Sequence, residues 1–471
     1  MDHPNVVWIT LDSVRADHTT MGGYSRDTTP TLQRLADEEE GSYFGQCLSH
    51  GRYTMVSSAS MLTGTYPSHH RAGYESQAIP SSLRTVGERL RAASYQTGLL
   101  SDNLFLSSAT GLDRGFDRSA CLVPSTLRSL PSKLLKTVGP TTALNYLLGL
   151  NRHSAGFTTD LTQHSRTYLI NAVARDWLSS FANEEPFFLY VHNDQTHRPY
   201  SPPLPYRDEF TDDIELSPSD AAEVSLRIHE TLLETIADGC DLTDREWEAL
   251  LAMYDAGIRY ADEGIRALIE FIRDGPFGET VFVITADHGE FFGEIGLLGH
   301  KFALHDAVLN VPLVTHGLDV DTQGPVQHVD VMTTLLEMAG ADTDGMQGVD
   351  LRSTEREYAI AQDHSLSTDG ILAHNPDADV SHFPTNARSV IHDGEYKLRV
   401  EENSRGLYRL PDEATDISSR FPDVADELER QLTEWLETTG QPADGDAQDE
   451  FSDDQKQHLA DLGYLDEDLP D

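Results

Sequence analysis

Asn5–Leu11 reads NVVWITL and runs straight into Asp12; far downstream Thr280–Thr285 reads TVFVIT and runs into Ala286-Asp287-His288. Both are short apolar runs rich in β-branched residues with no polar alternation, the composition of a strand covered on both faces. Helical patterns lie between such runs. Thr29–Asp37 (TPTLQRLAD) reads as a helix; Leu83–Ala93 is a helix before the strand Gln96–Ser101; Asn171–Phe181 is a helix before the strand Phe187–His192; and Met253–Ile272 is a long amphipathic helix before Thr280. This alternation predicts an α/β fold, a mostly parallel sheet covered by helices on both faces. Ligands of such sheets bind beyond the carboxyl ends of the strands, where Asp12, His192 and Asp287 all stand.

The rest of the chain is less regular. Ala120 to about Thr159 is expected to cover or border the pocket, and Leu204–Asp244 is an acidic, partly helical insertion. Past residue 355 the units shorten: Ala387–His392, Tyr396–Val400 and Leu407–Leu410 read as antiparallel strands, and Val424–Thr438 as a helix, together a small C-terminal α+β subdomain. From Gln441 onward the chain is acidic and expected to be loosely held, with a short helix around Asp454–Leu462. The expected division is a catalytic domain over 1–355, the subdomain over 356–440 and an acidic tail over 441–471.

Among 471 residues, 79 Asp and Glu face 34 Lys and Arg, a formal charge of −45, and lysine occurs only at 133, 136, 301, 397 and 456. Such a surface repels itself in dilute buffer, whereas at molar salt the Debye length falls to about 3 Å. The expected setting is the cytoplasm of a salt-accumulating halophile. Nucleic acid and anionic membranes are excluded as partners by the same charge. Cys47, Cys121 and Cys240 are too scattered for a zinc pattern or a disulfide framework. MDHPNVVWITLD has no basic n-region, and no apolar run approaches the roughly 20 residues that span a bilayer, so a soluble chain without membrane insertion is expected.

Asp12 and Asp287-His288 together offer two carboxylates and an imidazole to one divalent ion: Ca²⁺, Mg²⁺, Mn²⁺ or Zn²⁺. At a strand-end crevice such an ion polarises an ester oxygen and activates a hydroxyl.

ITLDSVRADHTTMGGY (9–24), VITADHGEFFGEIGLLGHK (283–301) and LNVPLVTHG (309–317) resemble the signature regions of the sulfatase family, within the alkaline phosphatase superfamily. GLDRGFDR (111–118), YVHNDQTHRPYSPP (190–203), HVDVMTTLLEMAG (328–340), DGEYKLRV (393–400) and LYRL (407–410) extend the resemblance over residues 4 to 438. It implies an alkaline-phosphatase-like fold and hydrolysis of a sulfate or phosphate ester on a small molecule or glycan.

One block departs from the pattern. Aligning Ser60–Gly64 with the family's LLTG run places Thr54 where the Cys or Ser precursor of formylglycine stands, Val56 at the proline and Ser58 at the arginine. Formylglycine chemistry is therefore not expected. The resemblance shifts towards superfamily members with a Thr nucleophile, the nucleotide pyrophosphatase/phosphodiesterases and lipoteichoic acid synthases, which implies Asp12, Thr54, Asp287 and His288 as ligands of a single ion and Thr54 as nucleophile. Ser13 replaces a second metal-binding Asp, consistent with a leaner site. The resemblance also assigns leaving-group protonation to His197 and neutralisation of the anion to Lys301. Arg52 stands in for the missing arginine or forms a salt bridge, and His69, His70, His300 and His305 rank below these. Two alternatives follow: a phospho-group transferase or phosphodiesterase acting on a lipid or glycan, and an inert binding protein that kept the fold.

Overall fold

The computed structural model describes residues 3–74, 76–123, 137–158, 160–181, 185–320, 324–364, 368–380, 383, 387–401 and 404–461. Residues 124–136 and 159 of the expected pocket border, and Leu462 of the expected C-terminal helix, lie outside them. Eight strands form the main sheet: β1 (Asn5–Leu11), β2 (Gly41–Leu48), β3 (Gln96–Ser101), β4 (Arg118–Cys121), β5 (Phe187–Asn193), β6 (Thr280–Ala286), β9 (Asn310–His316) and β10 (Val326–Gln327). β7 (Phe291–Phe292) and β8 (Leu298–Gly299) make a small hairpin between β6 and β9.

The sheet order is β10-β2-β9-β6-β1-β5-β3-β4. β9 alone runs against its neighbours β2 and β6, and the other pairings are parallel. β1 is central, and the register puts Leu11 beside both Ala286 and Asn193. The residues that leave β1 and β6 are therefore neighbours, and His192 faces them from β5.

Both faces of the sheet are covered, as the uninterrupted apolar strands predict. On the Trp8 face, Trp8 stacks on Tyr190 at 6.4 Å and meets His328 of the His328–Met338 helix edge-on. Thr10, on that same face, reaches Met61 of the Thr54–Thr63 helix. On the opposite face Gly98 lies under Trp177 of the Thr167–Ser180 helix, where an added Cβ would sit 3.1 Å from the indole. The 30-residue helix Asp244–Arg273 begins with a capping box from Thr243 and Glu246 and buries one face, from Ala249 to Ile272.

The C-terminal sheet has four antiparallel strands rather than the three expected: β11 (Ala359–Gln362), β12 (Ala387–His392), β13 (Tyr396–Glu401) and β14 (Arg405–Arg409). The Pro422–Thr438 helix packs on it through Ala425, Leu428, Leu432 and Trp435. Two devices tie this layer to the main body. Gln327 exchanges hydrogen bonds with the backbone of Ile360, both at 2.9 Å, and Lys397, fully buried on β13, reaches Asp306 and Glu413 at 2.7 Å each.

Residues 441–461 correct the expectation of a loosely held tail. Ala443 N–H donates to His69 O, Glu450 N–H donates to Ala109 O at 2.9 Å, and buried Phe451 meets Phe105 edge-on. Phe451 and Leu459 are buried against the body, so this stretch is held rather than solvated.

Candidate active site

Asp12 leaves the end of β1 fully buried, with its N–H bonded to Asn193 O. Its carboxylate accepts from Ser13 Oγ at 2.7 Å, and from Thr54 Oγ1, Asn103 Nδ2 and His192 Nε2 at 3.2 Å each. Burial alone would raise its pKa. The imidazoles of His197, His288 and His192, with the hydrogen bond from His192, outweigh burial and hold the group well below the usual carboxylate range.

Asp287 follows β6, equally buried. Its Oδ1 accepts from the N–H groups of Ser13 (3.2 Å) and His288 (3.0 Å), while Oδ2 has no hydrogen-bond partner among the described residues. Burial and the Asp12 charge push its pKa up. The approach of Ser13 to Asp287 needs a left-handed turn, and Ser13 adopts it at φ 61°, with its carbonyl held by Tyr254 Oη at 2.7 Å. Gly289 has a different constraint: a Cβ there would lie 2.1 Å from Ala307 O, so the DHG turn has room for glycine only.

The tautomer of His288 follows from its neighbours. Nδ1–H donates to Gly289 O at 2.9 Å, which leaves the Nε2 lone pair facing Asp12 Oδ1 and Asp287 Oδ2, each 3.6 Å away. Those separations are too long for hydrogen bonds. They suit atoms that share a cation at metal–ligand distances of roughly 2.0–2.6 Å, with the outer nitrogen oriented by a carbonyl as metal-bound histidines are. Asp12, His192 and Asp287 also offer ligand atoms within 4.8 Å of one another. His192 spends its Nε2–H on Asp12, so His288 has the better lone pair for an ion. The donor set fits a divalent metal.

Thr54 is the first residue of the Thr54–Thr63 helix and does not cap it, since Tyr53 holds the N-cap. Its hydroxyl therefore faces Asp12 at the positive end of the helix dipole. His197 follows the turn Asp194–Thr196; its ring lies 5.2 Å from that of His300, which lies 4.5 Å from His288. Burial takes His197 down to about 4, so its imidazole is neutral in the substrate-free protein. His300 donates or accepts at Glu290 Oε1 (3.1 Å), and burial pushes Glu290 up to about 7. Lys301 comes next in the chain and is partly exposed.

Other candidates lie elsewhere. Arg52 pairs with buried Asp363, the salt-bridge alternative. His70 bonds Ser60 Oγ, His69 reaches Gln441 O, and His305 caps the Asp306–Leu309 helix. The sequence places His192 at a strand end without a role and does not mark Asn103, Asp194, Asp102 or Arg166. Asn103 bridges Asp12 and Asp194, and Arg166 faces Asp102 and Asp194 at 3.6 and 3.7 Å. Beside them a cleft of about 30 Å³, lined by Arg166, His197, Arg198 and Ser201, opens next to the Asp12 cluster.

Residues 4–341 match the sulfatase family profile. The chain belongs to the sulfatase family. Its chemistry is accordingly the hydrolysis of sulfuric or phosphoric esters. An arylsulfatase of Clostridium perfringens is 24% identical to this sulfatase over 92% of the chain and 94% of its own length. A multifunctional alkaline phosphatase superfamily protein of Trinickia caryophylli is 24% identical over 73% and 75%. Among solved structures, the phosphonate monoester hydrolase of Agrobacterium radiobacter superposes with a TM-score of 0.68 at 21% identity, covering 93% of this chain and 96% of its own. A protein solved with its substrate D-glucosamine-2-N,6-O-disulfate gives 0.67 at 17% identity, covering 93% and 98%. Among the described residues no helix is long and apolar enough to cross a membrane.

Proposed function

We propose that this chain cleaves sulfate or phosphate esters of small molecules or glycans through a covalent ester on Thr54, with Asp12, Thr54, Asp287 and His288 as ligands of one divalent ion, Ca²⁺, Mg²⁺, Mn²⁺ or Zn²⁺. The observation that carries the reading is the Thr54 hydroxyl, 3.2 Å from Asp12 at a helix N-terminus, with Asp287 Oδ2 free of hydrogen-bond partners among the described residues and the His288 Nε2 lone pair facing both carboxylates. When bound, the ion would lower the pKa of the Thr54 hydroxyl and offset charge on the ester oxygens.

Thr54 Oγ1, its proton given up to solvent, then forms its bond to sulfur or phosphorus as the bond to the leaving oxygen breaks. His197 delivers the proton to that oxygen: neutral in the free protein, it gains basicity from a bound anionic ester beside it. Lys301 steadies the remaining oxygens, and water releases the Thr54 ester. The retained Asp12–Thr54–Asp287–His288 set argues against an inert fold. On this reading residues 1–355 form the catalytic domain, 356–440 a supporting subdomain and 441–471 an acidic tail, and the net charge of −45 suits a salt-rich cytoplasm.

The test is a panel of nitrophenyl and alkyl sulfates, phosphates, phosphodiesters and phosphonates with each metal. Thr54→Ala should lose several orders of magnitude in kcat, and near wild-type turnover in that variant would exclude a Thr54 intermediate. His197→Ala should cost about 10²–10⁴-fold on alkyl esters and much less on nitrophenyl esters, which leave without a proton. Equal losses on both would remove His197 from the acid role.

A further inference from the structure

The sequence carries 79 Asp and Glu, yet the described residues 137–158 hold none. The same stretch holds most of the apolar surface that stands out to solvent. Among the described residues the exposed large hydrophobic side chains are Leu144, Leu147, Leu148, Phe157 and Leu204, the most open being Leu148 at 77% and Phe157 at 82%.

They form one face. In the Gly139–Leu148 helix Leu144, Leu147 and Leu148 stand at i, i+3 and i+4, so they share a side, while Ala143 and Tyr146 are buried on the other. The apolar stripe of this helix therefore points outward, the reverse of an ordinary surface helix. Tyr146 anchors it, its Oη donating to Ser165 O at 2.8 Å. Leu204 N–H donates to Ser154 O, and Leu204 Cδ1 would lie 3.2 Å from a Cβ on Gly156, which brings Leu204 beside Phe157. The helix and this second pair are joined by the turn Leu150–His153.

We infer that this face is an interface between two copies of the chain, pairing with its own counterpart about a two-fold axis. Charge decides between occupants. Two copies that each carry −45 repel wherever their carboxylates are brought together, and the Gly139–Leu148 helix, which carries none, meets its counterpart without adding to that repulsion. Area agrees. Its five side chains expose roughly 600 Å², at the top of what single patches on monomers show. Isologous pairing would hide roughly 1,200 Å², the lower bound of standard stable interfaces. Because the contact is apolar, it should tighten with salt, whereas a partner held by charge would loosen.

Sedimentation velocity of the full chain in molar KCl, from submicromolar to tens of micromolar, tests this. The wild type should sediment as a dimer, Leu148→Asp/Phe157→Asp should raise the dissociation constant at least 100-fold, and turnover of a small nitrophenyl ester should be the same in both. Leu144→Lys alone should weaken the dimer in the same direction, and melting temperatures within a degree or two would show that both variants are folded. A wild type that is monomeric throughout overturns the inference, as does a dimer that survives the double substitution or loosens as salt rises. A monomer that floats with phosphatidylcholine vesicles, and no longer does so after the double substitution, would assign the face to a lipid surface instead. The outcome is separate from the catalytic reading, because none of these residues touches the Asp12 cluster.

Discussion

Asp287→Asn distinguishes an ion-binding centre from a buried polar network that merely supports the fold. The replacement is isosteric. Its Oδ1 keeps the bonds from Ser13 and His288, and the new amide takes the place of Oδ2, which has no hydrogen-bond partner among the described residues. What changes is charge, and in the ion-free protein the Asp287 carboxylate sits buried beside Asp12, which pushes its pKa up. Removing an unsatisfied buried charge of this kind should stabilise the ion-free protein by about 1–3 kcal/mol. At roughly 2.1 cal/mol/K per residue the unfolding entropy of 471 residues is about 1 kcal/mol/K, so Tm should rise by about 1–3 °C. The ion's effect should move in the opposite sense. A cation at 100 times its Kd stabilises wild type by about 2.7 kcal/mol, near 3 °C, and that gain should vanish in the variant. Differential scanning calorimetry in molar KCl, with chelator and then with each divalent ion, gives both numbers. A variant less stable than wild type in chelator, yet still stabilised by the ion, would refute the assignment of Asp287 as a ligand.

Other expectations are more local. Lys397→Met leaves partly buried Asp306 and Glu413 without their shared cation and should cost about 3–5 kcal/mol in thermal unfolding, with Lys397→Met/Glu413→Gln recovering part of it. Asp262 accepts from the N–H groups of Thr31 and Leu32, yet burial takes it up to about 6. An acid whose folded pKa is raised binds more protons folded than unfolded, so its contribution falls as pH rises from about 4 to 6, by about 3 kcal/mol. Asp262→Asn should therefore flatten that part of a Tm–pH curve measured against wild type. The −45 charge predicts loss of structure in dilute buffer and recovery in molar KCl, followed by circular dichroism; equal melting temperatures in the two would remove salt adaptation.

Much of this site could be read before any coordinates, because a buried parallel strand has a plain signature and its last residue marks the ligand crevice. NVVWITL and TVFVIT gave Asp12 and Asp287 their places. The antiparallel direction of β9 was not legible, since VPLV reads the same in either sense. β2 escaped because GSYFGQCL carries two glycines and no steady pattern, and β4 and β11 because four residues are too few to show a period. His192 stood at a recognised strand end, but nothing in YVHN says which nearby carboxylate its ring will meet. Asn103, Asp102 and Asp194 were invisible for the same reason: two loops, after β3 and after β5, converge only because those strands pair. Thr54 was found by alignment of a motif, and its exposure to the cluster follows from Tyr53 taking the cap.

Phe451 and Glu450 close over the loop that carries Asn103, with Glu450 N–H on Ala109 O and Phe451 against Phe105, whose own N–H donates to Asn103 Oδ1. On the ribosome that loop emerges long before the residues that back it. A nascent chain with β1, β3, β5 and β6 already paired still lacks this brace, so the Asn103 wall of the crevice is completed only when synthesis has passed residue 451. Completion of the site is thereby tied to completion of this stretch of translation.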